Sequence, residues 1–163
     1  MTGSGSQWVL LTYKIPREPS TGRISIWRKL ERLGVARLGD GLVALPADAR
    51  TREQFDWIAE EIGELNGSAT VWLAAPANAA QERTIATSMR EARVLEYQAV
   101  IDQARAAAKA TPGERTRIAT RLRAELRRIT RRDYFPPAER ETAQQAVRAL
   151  TQTADKPALE GAE

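Results

Sequence analysis

The chain has 163 residues, a formal net charge of +4, and neither cysteine nor histidine. That length allows one domain with a real core, or a small domain with a helical appendage. The two absences exclude disulfides, thiolate nucleophiles, imidazole or thiolate metal sites, Ser-His-Asp catalysis and a histidine pH switch.

Residues 1–6, MTGSGS, have no basic n-region and no apolar h-region, and are expected to be a flexible leader rather than a signal peptide. No apolar run approaches the roughly 18–20 residues of a membrane span. Residues 7–14 hold the apolar run Trp8-Val9-Leu10-Leu11 and predict a central strand covered on both faces. Pro16 and Pro19 force an extended loop. Ser20 or Thr21 then caps a helix with an apolar stripe of Ile24, Trp27, Leu30 and Leu33, stopped by Gly34 as a left-handed cap. Two short β-like runs around Gly39-Asp40-Gly41 predict a hairpin, its glycines serving positive φ angles. A second helix opens at Asp48 or Thr51, carries Phe55, Ile58, Ala59, Ile62 and Leu65 inward, and stops at Asn66-Gly67. Residues 69–73 form a fourth strand. The four tryptophans, Trp8, Trp27, Trp57 and Trp72, all fall on these elements and are expected to pack in the core.

The order β-α-β-β-α-β over residues 7–76 predicts an α+β, ferredoxin-like domain with both helices on one face of an antiparallel sheet. Residues 77–153 read as an α-helical bundle. A long helix spans residues 79–110 and is broken by Thr111-Pro112-Gly113. An arginine-rich helix follows, with Ile118, Leu122, Leu126 and Ile129 as its stripe, and a last helix covers residues 138–151. Residues 154–163 are expected to be flexible.

No phosphate motif is present: G-x-x-x-x-G-K-S/T and G-x-G-x-x-G are both missing. Glu60 and Glu61 point about 100° apart on a helix and cannot share a proton. Asp40 has no second acid near it in sequence. The chain is therefore expected not to be an enzyme and to need no cofactor or metal. The 21 arginines against 4 lysines carry more information through their placement. Residues 113–133 hold Arg115, Arg117, Arg121, Arg123, Arg127, Arg128, Arg131 and Arg132 against three acids. At 100° per residue these arginines cover the whole solvent arc of the helix. Three readings stay open: tracking of a DNA backbone, pairing with acids of neighbouring helices such as Glu82, Glu91, Glu96, Glu139 and Glu141, and simple solubility. Around the first loop, Lys14, Arg17, Arg23 and Arg28 make a second basic corner that suits an oxyanion or a DNA phosphate, or is a solvated surface.

The stretch WVLLTYKIPREPSTGRISIWRKLERLGVARLGDGLVALP resembles the start of the N-terminal domain of ChrB, the chromate-resistance regulator. The likeness continues in RLRAELRRITRRDYFPPAERETAQQAVRAL, similar to the family's basic helix, aspartate–aromatic pair and final helix. The resemblance implies a cytoplasmic protein of a chromate-resistance locus. Its core would be akin to PaaX-type repressors and to a small CRISPR-associated protein, and its role would be chromate-responsive transcriptional control. It does not bring nuclease activity, because the acid such enzymes use near the end of the first strand is Lys14 here. The implied partners are the operator DNA of its own locus, chromate or another oxyanion, and a separate ChrB C-terminal-domain protein, since larger members carry a further domain; the exposed edge strands of a four-stranded sheet also suit a second copy in a homodimer. The expected DNA contacts are Arg117, Arg121, Arg123, Arg127, Arg128, Arg131 and Arg132, with Lys14, Arg17, Arg23 and Arg28 as secondary contacts.

Overall fold

The structure, a computed structural model, describes residues 6–152. Most of the leader and tail expected to be flexible lies outside that range. The elements in order are β1 (Trp8–Lys14), α1 (Ser20–Leu33), β2 (Ala36–Gly39), β3 (Leu42–Pro46), α2 (Ala49–Glu64), β4 (Ser68–Ala74), α3 (Ala79–Ala107), α4 (Pro112–Arg131) and α5 (Glu139–Gln152). They form two compact units, one up to Met89 and one from Arg90 onward, and the division falls inside α3.

In the first unit all strand pairs are antiparallel and the strand order is β2-β3-β1-β4. This is the mixed α+β arrangement expected from the element order. Leu11 stands opposite Val43 and Val71, and Leu10 opposite Ala44 and Trp72. Because side chains alternate along a strand, Val9, Leu11, Val43 and Leu45 share one face. They are buried there with Ile26 and Leu30 of α1 and Phe55, Ile58 and Ile62 of α2. On the opposite face Trp8 and Ala44 are buried. There Trp8 Nε1 donates to Glu82 Oε1 of α3 at 3.1 Å. Further along, Leu10 is half-buried, and the exposed Trp72 donates through Nε1 to Thr12 Oγ1 at 2.9 Å. Full cover of β1 on both faces, as its apolar run predicts, is thus not observed.

The stripe of α1 also differs from expectation. Ile26 and Leu30 are buried, whereas Ile24 is 46% and Trp27 53% exposed. The reason lies in α2: a Cβ on Gly22 would stand 3.0 Å from Leu65. The helix therefore presents its 22-26-30 edge to its neighbour, and Lys29 beside that edge forms an ion pair with Glu61. The first turn has no side-chain cap; its N-cap is Pro19, and Ser20 and Thr21 lie inside the helix. Trp57 and Trp72 are 60% and 52% exposed, so of the four tryptophans Trp8 alone is a core residue. On α2 the buried set is Thr51, Phe55, Ile58 and Ile62. Trp57 is turned about 100° away from Ile58.

Chain reversals follow the local chemistry closely. Gly34 caps α1 at φ 72°, and Asn66 takes φ 62° after α2. Asp48 and Thr51 together make the reciprocal capping box of α2: Thr51 N donates to Asp48 Oδ1 at 2.7 Å and Asp48 N to Thr51 Oγ1 at 3.0 Å. Thr111 and Glu114 do the same for α4, so Thr111-Pro112-Gly113 separates α3 from α4 and also starts α4, with proline in its first turn.

In the second unit the interior is made by Tyr97, Val100, Ile101 and Ala104 of α3, Ala119, Leu122, Leu126 and Ile129 of α4, and Ala143, Val147 and Leu150 of α5. This is the predicted spacing, with Ile118 only partly buried beside it.

Gly41 closes the β2–β3 hairpin at φ 71°, and a Cβ there would stand 2.4 Å from the Tyr13 carbonyl oxygen. Gly41→Ala should cost about 2 kcal/mol or more, combining left-handed strain with that clash. Gly39→Ala, whose Cβ would meet nothing within 4 Å, should stay within about 0.5 kcal/mol of the parent. Thermal denaturation of the two variants checks the difference, and equal midpoints would contradict this account of the turn.

Candidate nucleic-acid interface

Burial of Ala119, Leu122, Leu126 and Ile129 fixes which way the arginines of α4 point. Arg117, Arg121, Arg123, Arg127, Arg128 and Arg131 are exposed, while the Arg132 side chain is only 16% exposed. Four of the seven are engaged within the second unit. Arg132 donates through Nη2 to Glu96 Oε1 at 2.8 Å, and Arg128 donates through Nε to Glu125 Oε2 at 3.0 Å. Arg121 donates to Gln103 Oε1 at 2.9 Å and Arg123 to Thr151 Oγ1 at 3.1 Å. Arg117, Arg127 and Arg131 have no hydrogen bond or ion pair among the described residues. Around the helix these three fall within roughly 80° of one another, opposite the buried stripe, and from Arg117 to Arg131 they extend about 21 Å along the axis. The basic cylinder read from the sequence thus resolves into one row of uncommitted guanidiniums flanked by partnered ones.

Where α4 ends, a charged cluster joins it to α3. Glu96 accepts from Arg132 and also lies 3.0 Å from Arg93 Nε, while Arg93 Nη1 donates to the Arg132 carbonyl at 3.2 Å. Next to it the fully buried Tyr97 donates its hydroxyl to Asp133 Oδ2 at 2.7 Å. Burial, and then the carboxylate of Asp133, push the Tyr97 phenol up to about 12. Because these ionic groups are partly desolvated, removing one member costs more than breaking an exposed pair would. The sequence pointed to Glu96 as a possible partner of the arginines. It held no signal that Arg93 and Asp133 would join the cluster, because those contacts depend on how α3 meets the end of α4.

The first unit holds a second basic surface. Lys14 and Arg23 line a cleft of about 1120 Å³ between the outer side of α1, the end of β1 and the β2–β3 hairpin. Arg17 and Arg28 do not line it. The sequence reading missed Arg37, which lines the cleft from β2, donates to Glu31 Oε1 at 3.0 Å and lies over the Trp27 ring with Cζ 5.6 Å from its centroid. Among the described residues no group of three or more acidic side chains is placed to hold a metal ion.

The family described as "Protein ChrB, N-terminal" matches residues 23–111, more than half of the chain. The chain belongs to the ChrB N-terminal family. It is a chromate-resistance, ChrB-like protein. The match begins in α1 and ends at Thr111, the N-cap of α4. The arginine row therefore follows the segment that carries the family assignment. No curated protein and no solved structure matches. Among the described residues no helix of this ChrB-family chain is long and apolar enough to cross a membrane.

The Tyr97–Asp133 bond makes a pH-dependent contribution with a definite sign. The phenol is raised from 10.0 to about 12, so folding favours its neutral form. Its contribution is complete below about pH 10 and is lost as pH rises through about 12. Tyr97→Phe should lower stability by about 1–3 kcal/mol near neutral pH, because it leaves Asp133 without its donor. It should also remove the tyrosinate absorbance step near pH 12. Persistence of that step in the variant would assign it to another tyrosine.

Proposed function

We propose that this ChrB-family chain is a DNA-binding transcriptional regulator of a chromate-resistance locus, gripping the duplex backbone through Arg117, Arg127 and Arg131. The observation that carries the reading is the row of three guanidiniums on one exposed helix face, uncommitted among the described residues and standing beside four that are already engaged. Arginine suits this role because it is always charged and its planar fork matches phosphate oxygens. Neutralising phosphates releases condensed counterions, so such a surface gives affinity that falls steeply with salt. Arg121, Arg123 and Arg128 flank the row and are held by exposed hydrogen bonds, which a phosphate can replace. Arg132 supports the end of the helix through Glu96 and is a positioning residue in this reading.

A second reading has its own support. Two of the seven arginines are ion-paired inside the unit, Arg128 to Glu125 and Arg132 to Glu96, as expected of an accessory module that presents its helices to a protein partner. In that case the free row would meet an acidic protein surface, such as a separate ChrB C-terminal-domain protein, rather than DNA.

An electrophoretic or anisotropy titration with duplex DNA from the chain's own upstream region, repeated across a salt series, separates the two. Replacing Arg117, Arg127 and Arg131 together by Gln should weaken duplex binding and lower the slope of log affinity against log salt by about 2.7, near 0.9 for each phosphate no longer neutralised. Arg132→Gln should mainly lower thermal stability. An unchanged slope in the triple variant would remove the DNA reading of this face.

A further inference from the structure

The cleft in the first unit is built differently from the arginine row, and this difference identifies its ligand class. One end is basic: Lys14 at the end of β1 and Arg23 on α1 line it, both exposed and without a partner among the described residues. Ser20, the first residue of α1, lines the same end, and that helix begins at Pro19 without a side-chain cap. Its first backbone N–H groups and its dipole therefore favour an anion there. The other end is aromatic. Trp27 presents about half of its surface, and Arg37 lies over its ring. Asp40, at the hairpin turn, lines the cleft as well and offers an acceptor.

A bare oxyanion uses only part of this arrangement. Sites for tetrahedral anions close convergent donors around a small, dry volume, whereas this cleft holds about 1120 Å³ and its free cations are exposed. Nor does simple core packing account for Trp27, since α1 turns Ile26 and Leu30 inward and leaves the indole beside Arg37. Cations beside an exposed aromatic–guanidinium stack are what a phosphorylated aromatic base needs. The phosphate goes to the charged end and the base to the π surface.

We propose that the cleft binds the nucleotide unit, a phosphate joined to an aromatic base, with Lys14, Arg23 and the start of α1 on the phosphate and Trp27 with Arg37 stacking the base. The unit can come from a single-stranded segment of nucleic acid or from a free nucleotide. The site shares no residue with the arginine row on α4, so it stands or falls independently of the duplex-binding reading.

The test uses the full chain with two probes, a fluorescein-labelled oligothymidylate and free thymidine monophosphate, the second followed by calorimetry or as a competitor. Trp27→Ala should weaken binding about 5- to 150-fold, the range expected for removing one stacked base. Trp27→Phe should keep it within about threefold. Lys14→Gln with Arg23→Gln should weaken it and flatten its salt dependence. Trp57→Ala, an equally exposed indole outside the cleft, should leave it unchanged. Tight binding of the monophosphate marks a small-molecule effector site, and binding of the oligomer alone marks a single-strand site; both support the proposal. It is overturned if neither probe binds, if Trp27→Ala matches the parent, if Trp57→Ala has the same effect, or if sulfate and chromate compete as well as the monophosphate. Retained oligomer binding in the triple α4 variant shows that the cleft, not the arginine row, is responsible.

Discussion

The placement of the arginines in the second unit depends on the burial of one helix stripe. Ala119, Leu122, Leu126 and Ile129 are removed from water against α3 and α5. At roughly 1.5–3 kcal/mol for each large aliphatic side chain, this burial outweighs any single surface ion pair on the same helix. The rotation of α4 about its axis is therefore decided by hydrophobic area, and the arginines take the positions left over. Once the rotation is set, the neighbourhood of each arginine follows. Those near α3 or α5 meet Glu96, Gln103 or Thr151, Arg128 turns back to Glu125, and those pointing directly outward meet none of them.

The same ordering of forces holds in the first unit. The sheet face that carries Val9, Leu11, Val43 and Leu45 is sealed by two helices, and the tight meeting of Gly22 with Leu65 sets how α1 lies. Turning α1 to satisfy that contact moves Trp27 out of the core and toward β2, where Arg37 covers it. An aromatic side chain that helical spacing assigns to the interior becomes part of a surface cleft. The exposed indole thus follows from helix packing, and Lys14 and Arg23 fall on the same rim because β1 ends where α1 begins.

The two basic surfaces differ in the physics they offer. The row on α4 is purely ionic and spaced along about three to four helical turns, which suits a regular polyanion. The cleft combines a few cations with a stacking surface and has depth, which suits a single unit of base and phosphate. Membership of the ChrB N-terminal family rests on residues 23–111, which include most of the cleft's α1 and hairpin walls and stop before the arginine row.

Much of this architecture could be read directly from residue order. The element sequence, the glycine cap at Gly34, the capping residue Asp48, the break at Thr111-Pro112-Gly113, the hairpin at Gly41 and the stripe of α4 are local features, set by hydrogen bonding, left-handed backbone and 3.6-residue spacing within a few residues of one another. The absence of histidine and cysteine is equally complete in the sequence. Other features needed the tertiary structure. Ile24, Ile26 and Trp27 offer α1 two apolar faces of similar quality, and contact with α2 selects the one containing Ile26. Eight arginines in one segment give its charge but not how many are already partnered, because Glu96, Gln103 and Thr151 lie 18 to 36 residues away in sequence. Local chemistry determined the elements and the basic character of α4. Long-range packing decided which arginines of the second unit remain available and which tryptophan is left exposed in the cleft of the first.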